Sequence, residues 1–592
     1  MSGVRRGQLV TPFGVGAIVE VGQDSFVCAD LSRWAPADTL ALPESELQRI
    51  TRREIRTPFA SAPFVRFPRW LFCPLCRIMV KLTPDKEAEL ITKGFTTPRC
   101  AECKKAELTP MGFVQACEDG HLDEIDWFRW AHRNNHVASS GQCAPGAARM
   151  HFKTTGARGG DWETLRIECE CGARNTLEGL TTRPLPGKCR GRQPWMSQDG
   201  DPCDKQPFGH RRGDSNLYFP DQLSAIDIVV DGAMPTGGLR AFLAEQLAKP
   251  TWAPARTMAQ AFAPKDVAQA WRQLLSDLAQ ERGVSLAEIE EAFILELEGK
   301  PNVEANDHDL SGATQEEILR REWPVLSRRS DLEHPSLIIR VRPPHEDWSL
   351  QLKDAVESIS LLPRLREVRA LLSFRRVSDG GLRQPLHSAI ENHWLPGVEV
   401  WGEGVFIRLS EEYVSRWENS LSPSLLARLQ RLAQLHQGSG RSPATVTARF
   451  LAVHTLSHAL IRRLAFDAGY SSTALRERVY AGDGMAGLLI YTADADSEGS
   501  LGGLVRMGEP ATLGRTLEAA LNDAAWCSAD PVCAETRSQG VRGMNGSACH
   551  ACSLISETSC TFHNQLLDRH FLLSVEDGRM DSGLLPVPPL PE

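Results

Sequence analysis

The sequence predicts a mixed α/β, multidomain chain with two or three small zinc-stapled subdomains. Three observations lead there. A chain of 592 residues exceeds what one core organises, since domains average roughly 150 residues. Most of its sixteen cysteines fall in clusters with metal-ligand spacing. Between those clusters, stretches of helical periodicity alternate with short apolar runs of strand character.

In chain order, residues 1–65 read as an N-terminal β-rich segment. Within it, 8–21 (QLVTPFGVGAIVEV) predicts a hairpin turned at Gly14 and Gly16. Residues 66–220 form a cysteine-rich zinc-binding region, with a helix expected over Asp123–His132. Residues 221–435 form a central α/β region. It holds amphipathic helices over 264–298 with a break near Gly283, and a helix opened by a Thr314–Glu317 capping box. Strands follow at 337–342 and 398–409, and helices at 362–377 (Arg-rich) and 425–435. Residues 436–575 carry helices over 446–466 and 511–525, a buried strand at 488–491 and the last cysteine cluster. The Pro-rich tail, 576–592, is expected to be disordered.

Composition narrows the function. The net charge of −9 excludes a general nucleic-acid coat, so any DNA contact must come from a local basic patch. The N-terminal residues have no apolar signal core, and no run approaches the ~18 apolar residues of a membrane span. The expectation is a cytoplasmic chain, not a membrane protein, with reduced thiols, in which clustered cysteines mean metal.

The sharpest cluster is Cys73-x2-Cys76, a 23-residue gap, then Cys100-x2-Cys103. Each short turn aims two thiolates at one point, as a tetrahedral zinc ion requires. The surrounding segment 52–105 carries twelve Lys/Arg against five Asp/Glu. Arg66, Arg69, Arg77, Arg99, Lys104 and Lys105 are therefore candidate phosphate contacts, the alternative being a solvated face. The second group is Cys169, Cys171, Cys189 and Cys203, with Cys143 able to replace a member. Cys117 and His121 form a separate Cys-x3-His pair, read as either ligands or a plain turn. The third group offers Cys527, Cys533, Cys549, Cys552 and Cys560 for four positions. Thiolates suit zinc there, or an iron–sulfur cluster.

His454 and His458 sit one helical turn apart but lack the Glu of a HExxH motif, which favours core or partner-facing roles. The loop 499–505 (GSLGGLV) lacks the phosphate-cradling lysine and reads better as a tight turn. No nucleotide-hydrolase, helicase, phospholipase-D-type, serine-hydrolase or zincin motif occurs, so no catalytic residue is assigned. A metal-dependent nuclease built on His454, His458, Cys117, His121, Asp123 and Glu124 is the alternative.

Six blocks carry a resemblance: residues 4–20, 66–76, 113–127, 211–220, 497–505 and 548–569. Together they resemble the DrmB family, accessory components of the bacterial DISARM anti-phage system. The blocks span nearly the whole chain, with 232–335 least diagnostic. The resemblance implies a non-catalytic subunit that binds a separate DrmA-like superfamily-2 helicase and helps the complex engage phage DNA. It also implies that 436–575 is a helicase-associated cysteine domain. Its zinc would lie on Cys549, Cys552 and Cys560 with either Cys527 or Cys533.

Overall fold

The computed structural model describes residues 5–35, 39–42, 45–51, 53–58, 62–94, 97–133, 143–146, 148–154, 162–197, 200, 203–228, 243, 246–247, 250–258, 262–282, 286–297, 312–378, 380–387, 394–437, 445–471, 473–492, 502–574 and 582–587. Two compact units emerge, each assembled from separate stretches of chain. One comprises 1–42, 54–223 and 370–398; the other comprises 43–53, 224–369 and 399–592.

The first unit is built from small antiparallel sheets. Ile18–Val21, Asp24–Cys28 and Phe64–Arg66 form one. The predicted hairpin over 8–21 is thus displaced: Arg6–Leu9 is a 3-10 turn, and the chain reverses after Val21. Gly16 is left-handed, with its α-carbon pressed against the Phe374 ring, where any β-carbon would clash. A six-stranded antiparallel sheet runs in the order Arg174–Thr176, Leu165–Cys169, Met150–Thr154, Ile78–Lys81, Trp70–Phe72, Thr109–Pro110. The helix Trp127–His132, capped by Asp126, buries Trp127 and Trp130 with Ile167, Leu177 and Leu180. A third sheet joins Leu122–Asp123, Phe113–Ala116 and Phe208–Arg211.

Arg376, fully buried, ties this unit together from inside. Its guanidinium donates to the backbone carbonyls of Gly16 (2.8 Å), Gly120 (3.2 Å) and Leu217, and packs on the Trp195 ring at 4.8 Å. Burial pulls its pKa down to about 9.

The second unit centres on the helix Ala448–Ala468, whose residues from 448 to 461 are all buried. A helix buried on every side belongs in the middle of a core. It packs with the helix Pro510–Ala525, and its core takes in the strands Leu475–Tyr480 and Gly487–Thr492. The unit's sheet runs Leu332–Glu333, Leu337–Arg342, Val356–Arg375, Trp394–Leu409, Gly487–Thr492, Leu475–Tyr480, of which residues 356–369 and 399–409 of the two long strands belong here. The helices Pro264–Ala270, Arg272–Arg282 and Leu286–Leu297 enclose a small core of their own around Trp252, Val267, Leu275, Ile289 and Phe293.

Three expectations give way to the fold. Residues 362–377 are not a helix but lie mostly in the strand Val356–Arg375. In the sequence their arginines suggest an amphipathic face. Instead Arg369 pairs with Glu367 (2.6 Å), and Arg478 joins Glu367 (3.1 Å) and Glu322 (2.8 Å) in a buried ion network. Charge paired inside the fold mimics a solvated pattern in the sequence. The helix Gly312–Leu326 starts two residues before the expected Thr314. In the tail, Leu585–Pro586 pairs in parallel with Leu573–Ser574, and Leu584 and Leu585 are buried, so this part is ordered. Residues 575–581 and 588–592 lie outside the described residues.

Candidate metal centres

Among the described residues, four sets of cysteine and histidine side chains bring their ligand atoms within 4.8 Å of one another. The first is the predicted Cys73, Cys76, Cys100 and Cys103. Its two knuckles are built alike. Cys73 N–H donates to Ile78 and Arg77 N–H returns to Cys73; Cys100 N–H donates to Ala106 and Lys104 N–H returns to Cys100. Arg77 and Lys104, each following the second cysteine, are left-handed at φ 67° and 56°. The sulfurs approach at 3.6 Å (Cys73 to Cys103) and 3.5 Å (Cys76 to Cys100). A disulfide would need ~2.05 Å. A tetrahedron with Zn–S bonds of about 2.3 Å has edges of about 3.8 Å, so these spacings suit four thiolates around one ion.

The middle cysteines regroup. Cys169, Cys171, Cys189 and Cys203 do not share one site. Cys169 and Cys171 converge with His132 and Cys143; Cys189 and Cys203 converge with Cys117 and His121. Sheet pairing is the reason. Cys169 ends a strand of the six-stranded sheet, beneath the helix that carries His132. Cys117 and His121 form the turn between Phe113–Ala116 and Leu122–Asp123 in a different sheet. Gly120 makes that turn at φ 82°, with Gln384 filling the space a β-carbon would need. His132 Nδ1–H donates to the Phe128 carbonyl (2.7 Å), which leaves Nε2 bare, 3.3 Å from Cys171 Sγ. A backbone partner on one ring nitrogen fixes the tautomer a metal ligand needs. Cys143 to Cys169 is 3.7 Å, Cys117 to Cys203 3.9 Å, and Cys117 Sγ to His121 Nδ1 3.5 Å.

The fourth set is Cys527, Cys533, Cys549 and Cys552. Cys527 to Cys549 is 3.4 Å; Cys533 to Cys552 and Cys549 to Cys552 are each 3.8 Å. Cys560 is not a member, which corrects the ligand set that the family resemblance implies. It lies 3.3 Å from His454 Nε2, in a separate buried cluster with His458 and Glu477.

Electrostatics distinguish the thiols within each set. Burial raises Cys73, but the backbone N–H groups of Cys76 and Leu75 outweigh it and bring the thiol down to about 6. Cys76 is pushed up to about 12 by burial. Cys171 and Cys549 likewise fall to about 7 against burial, and burial takes Cys169 and Cys527 up to about 12. Cys117 lowers Cys189, while Cys189 and burial push Cys117 up to about 12. Adjacent thiolates repel, so an apo tetrad ionises only in part and a bound cation draws off the remaining protons.

Other candidates resolve differently. Arg66 is buried and paired with Asp24 (2.6 Å) and Glu87 (2.8 Å), so it is not a surface phosphate contact. Arg69 also reaches Glu87 (3.0 Å), whereas Arg99, Lys104 and Lys105 are exposed. Asp123 pairs with Arg190 and Glu124 with Lys81, while His454 and His458 are fully buried. Asp123 and Glu124 are thus engaged in ion pairs, and the two histidines are closed off from solvent within their own unit. Residues 499–501 lie outside the described residues. The backbone N–H groups of Gly502, Leu504 and Val505 are already taken by the buried Glu403 carboxylate, at 2.8–3.2 Å, where a phosphate would have to sit.

The chain is similar to known proteins. Residues 456–553 match the MrfA Zn-binding domain. Residues 5–219 match a domain of unknown function, DUF8724. Over 585 residues the chain is 28% identical to the DISARM protein DrmB of Bacillus paralicheniformis (strain ATCC 9945a / NCIMB 11709 / CD-2), covering 94% of this chain and 98% of that relative. The chain resembles DrmB over nearly its whole length. Its cofactor is zinc, the ion that the matched domain binds and that the tetrads suit. Among the described residues, no helix is long and apolar enough to cross a membrane.

His132 gives no signal in the sequence, because ten residues separate it from Cys143 and nothing local pairs them. Cys117 and His121 are visible there as a pair but without their partners. Glu477 has no local mark at all.

Proposed function

We propose that this chain is a non-catalytic, zinc-stapled subunit of a bacterial anti-phage defence complex, acting with a DrmA-like helicase that supplies the motor. The observation that carries this reading is the near full-length similarity to DrmB, in a chain that lacks motor motifs. Zinc would be held by Cys73/Cys76/Cys100/Cys103, Cys117/His121/Cys189/Cys203, His132/Cys143/Cys169/Cys171 and Cys527/Cys533/Cys549/Cys552. Each set offers four protein ligands, the closed arrangement of structural zinc, with no position left for water or substrate. Bound zinc therefore contributes folding free energy, and the chain's own residues hold surfaces in place.

DNA would be met through the complex, with Arg69, Arg77, Arg99, Lys104 and Lys105 around the first tetrad as this chain's contribution. Arg77 and Lys104 follow directly after tetrad cysteines, so the ion would fix the backbone that carries them. The chain would work in the cytoplasm, where phage DNA arrives.

Co-expression with the neighbouring helicase gene tests the reading. The expected result is a stable complex whose DNA binding is salt-sensitive and stronger than that of either chain. A chain that purifies alone and adds nothing to the helicase's DNA binding would overturn it.

A further inference from the structure

We infer that His454, His458, Glu477 and Cys560 form a fifth metal site, a buried centre of two imidazoles, a carboxylate and a thiolate for a divalent transition-metal ion such as Zn²⁺. The four ligand atoms lie within 4.8 Å of one another. His454 and His458 come from adjacent turns of the helix Ala448–Ala468, Glu477 from the strand Leu475–Tyr480, and Cys560 from the loop that follows the fourth tetrad.

The orientation of the two rings supports the assignment. His454 Nδ1 faces the Leu566 carbonyl at 3.2 Å, and His458 Nδ1 faces the Ser553 carbonyl at 3.0 Å. A carbonyl only accepts, so both Nδ1 atoms carry hydrogen and both neutral rings present a bare Nε2. Those Nε2 atoms point inward. That of His454 is 3.1 Å from Glu477 Oε1 and 3.3 Å from Cys560 Sγ. That of His458 is 3.5 Å from the same carboxylate oxygen and has no hydrogen-bond partner. His458 Nε2 and the Glu477 carboxylate thus face each other as two acceptors, and His454 Nε2 faces the Cys560 sulfur. A divalent ion with neutral imidazoles, a carboxylate and a thiolate satisfies every group and sums to zero charge.

A second observation agrees. Backbone N–H groups of Phe562 and Asn564 each point at Cys560 Sγ at 3.3 Å. The same i+2 N–H to sulfur contact occurs at Cys189, Cys203 and Cys527 of the tetrads, at 3.4 Å. The second carboxylate oxygen of Glu477 accepts from Ser457, and the rings of Phe450 and Phe562 wall the site. Spacings of 3.1–3.5 Å fit tetrahedral edges of about 3.4–3.6 Å for Zn–N, Zn–O and Zn–S bonds. All four ligands are buried, so the ion would staple helix, strand and loop and would not reach a substrate. The match to the Zn-binding domain spans His458 and Glu477 but stops short of His454 and Cys560.

Anomalous diffraction at the zinc edge, on crystals of the full chain grown with Zn²⁺, tests this site separately from the tetrads. A peak among the four atoms is expected, together with loss of one metal ion per chain in Cys560→Ser and retention of the others. Occupied tetrads with no peak here would overturn the proposal. If Cys560→Ser does not fold, the wild-type map decides alone: a peak supports the site, and its absence refutes it. Peaks here but not at the tetrads would support this site and refute that assignment.

Discussion

Replacing Cys73 with serine should release the first zinc ion and loosen the module around it. Cys73 is fully buried, and backbone N–H groups bring its thiol pKa to about 6. A serine hydroxyl stays protonated near neutral pH and is no zinc ligand there, so three thiols remain. The module's own apolar core is small: Leu71, Ile78, Leu82 and Leu108 are its buried aliphatic side chains. At about 2 kcal/mol each they contribute ~8 kcal/mol. Structural zinc supplies about 10–16 kcal/mol in small modules near neutral pH. The ion thus stabilises the module more than its packing does, and losing a ligand should expose the 70–110 segment to protease while the second unit stays resistant. Metal content by mass spectrometry and timed limited proteolysis read both effects. A variant with full metal content and unchanged proteolysis would refute the reasoning, because it would mean that packing alone holds the module.

Other outcomes follow from the same geometry. His132→Ala should lower metal content by one ion per chain; unchanged content would mean that this histidine is no ligand. At pH 7.5 the fourth tetrad has Cys527 up at about 12 and Cys533 raised, both by burial. Binding must therefore expel at least two protons, and apparent zinc affinity should fall by at least about 100-fold per unit of acidification, as competition with a chromophoric chelator would measure. Reversing Arg99, Lys104 and Lys105 to glutamate should weaken DNA binding by the helicase complex across all sequences and flatten its salt slope by about 0.9 for each phosphate no longer neutralised; an unchanged slope would place the patch against solvent. Arg66→Ala should act on stability instead, costing about 3–5 kcal/mol in urea unfolding, because it leaves Asp24 buried beside no cation. Arg376→Met should cost about 3 kcal/mol or more in the same assay, since it strips three buried carbonyls of their donor.

The legibility of each site tracks the length of chain that builds it. The knuckles at Cys73–Cys76 and Cys100–Cys103 can be read directly, because a four-residue turn aims both thiolates by itself. The helices Ala448–Ala468 and Pro510–Ala525 and the strand Gly487–Thr492 are visible from periodicity and apolar runs. The long strand Val356–Arg375 passes for a helix, because arginines that neutralise buried glutamates look the same in sequence as arginines that face water.

By itself, then, the sequence determined the chemistry: clustered thiols in a chain without motor motifs, local turns that pinch metal, and helices long enough to declare themselves. Tertiary structure alone decided which ligands meet. Cys117 reaches Cys203, 86 residues away, and Cys560 leaves the last tetrad for His454, 106 residues back. Those meetings are set by sheet pairing and by the burial of one helix. Neither leaves a spacing rule in the sequence, because the distance along the chain between two strands is set by whatever connects them and carries no information about what their ends will touch.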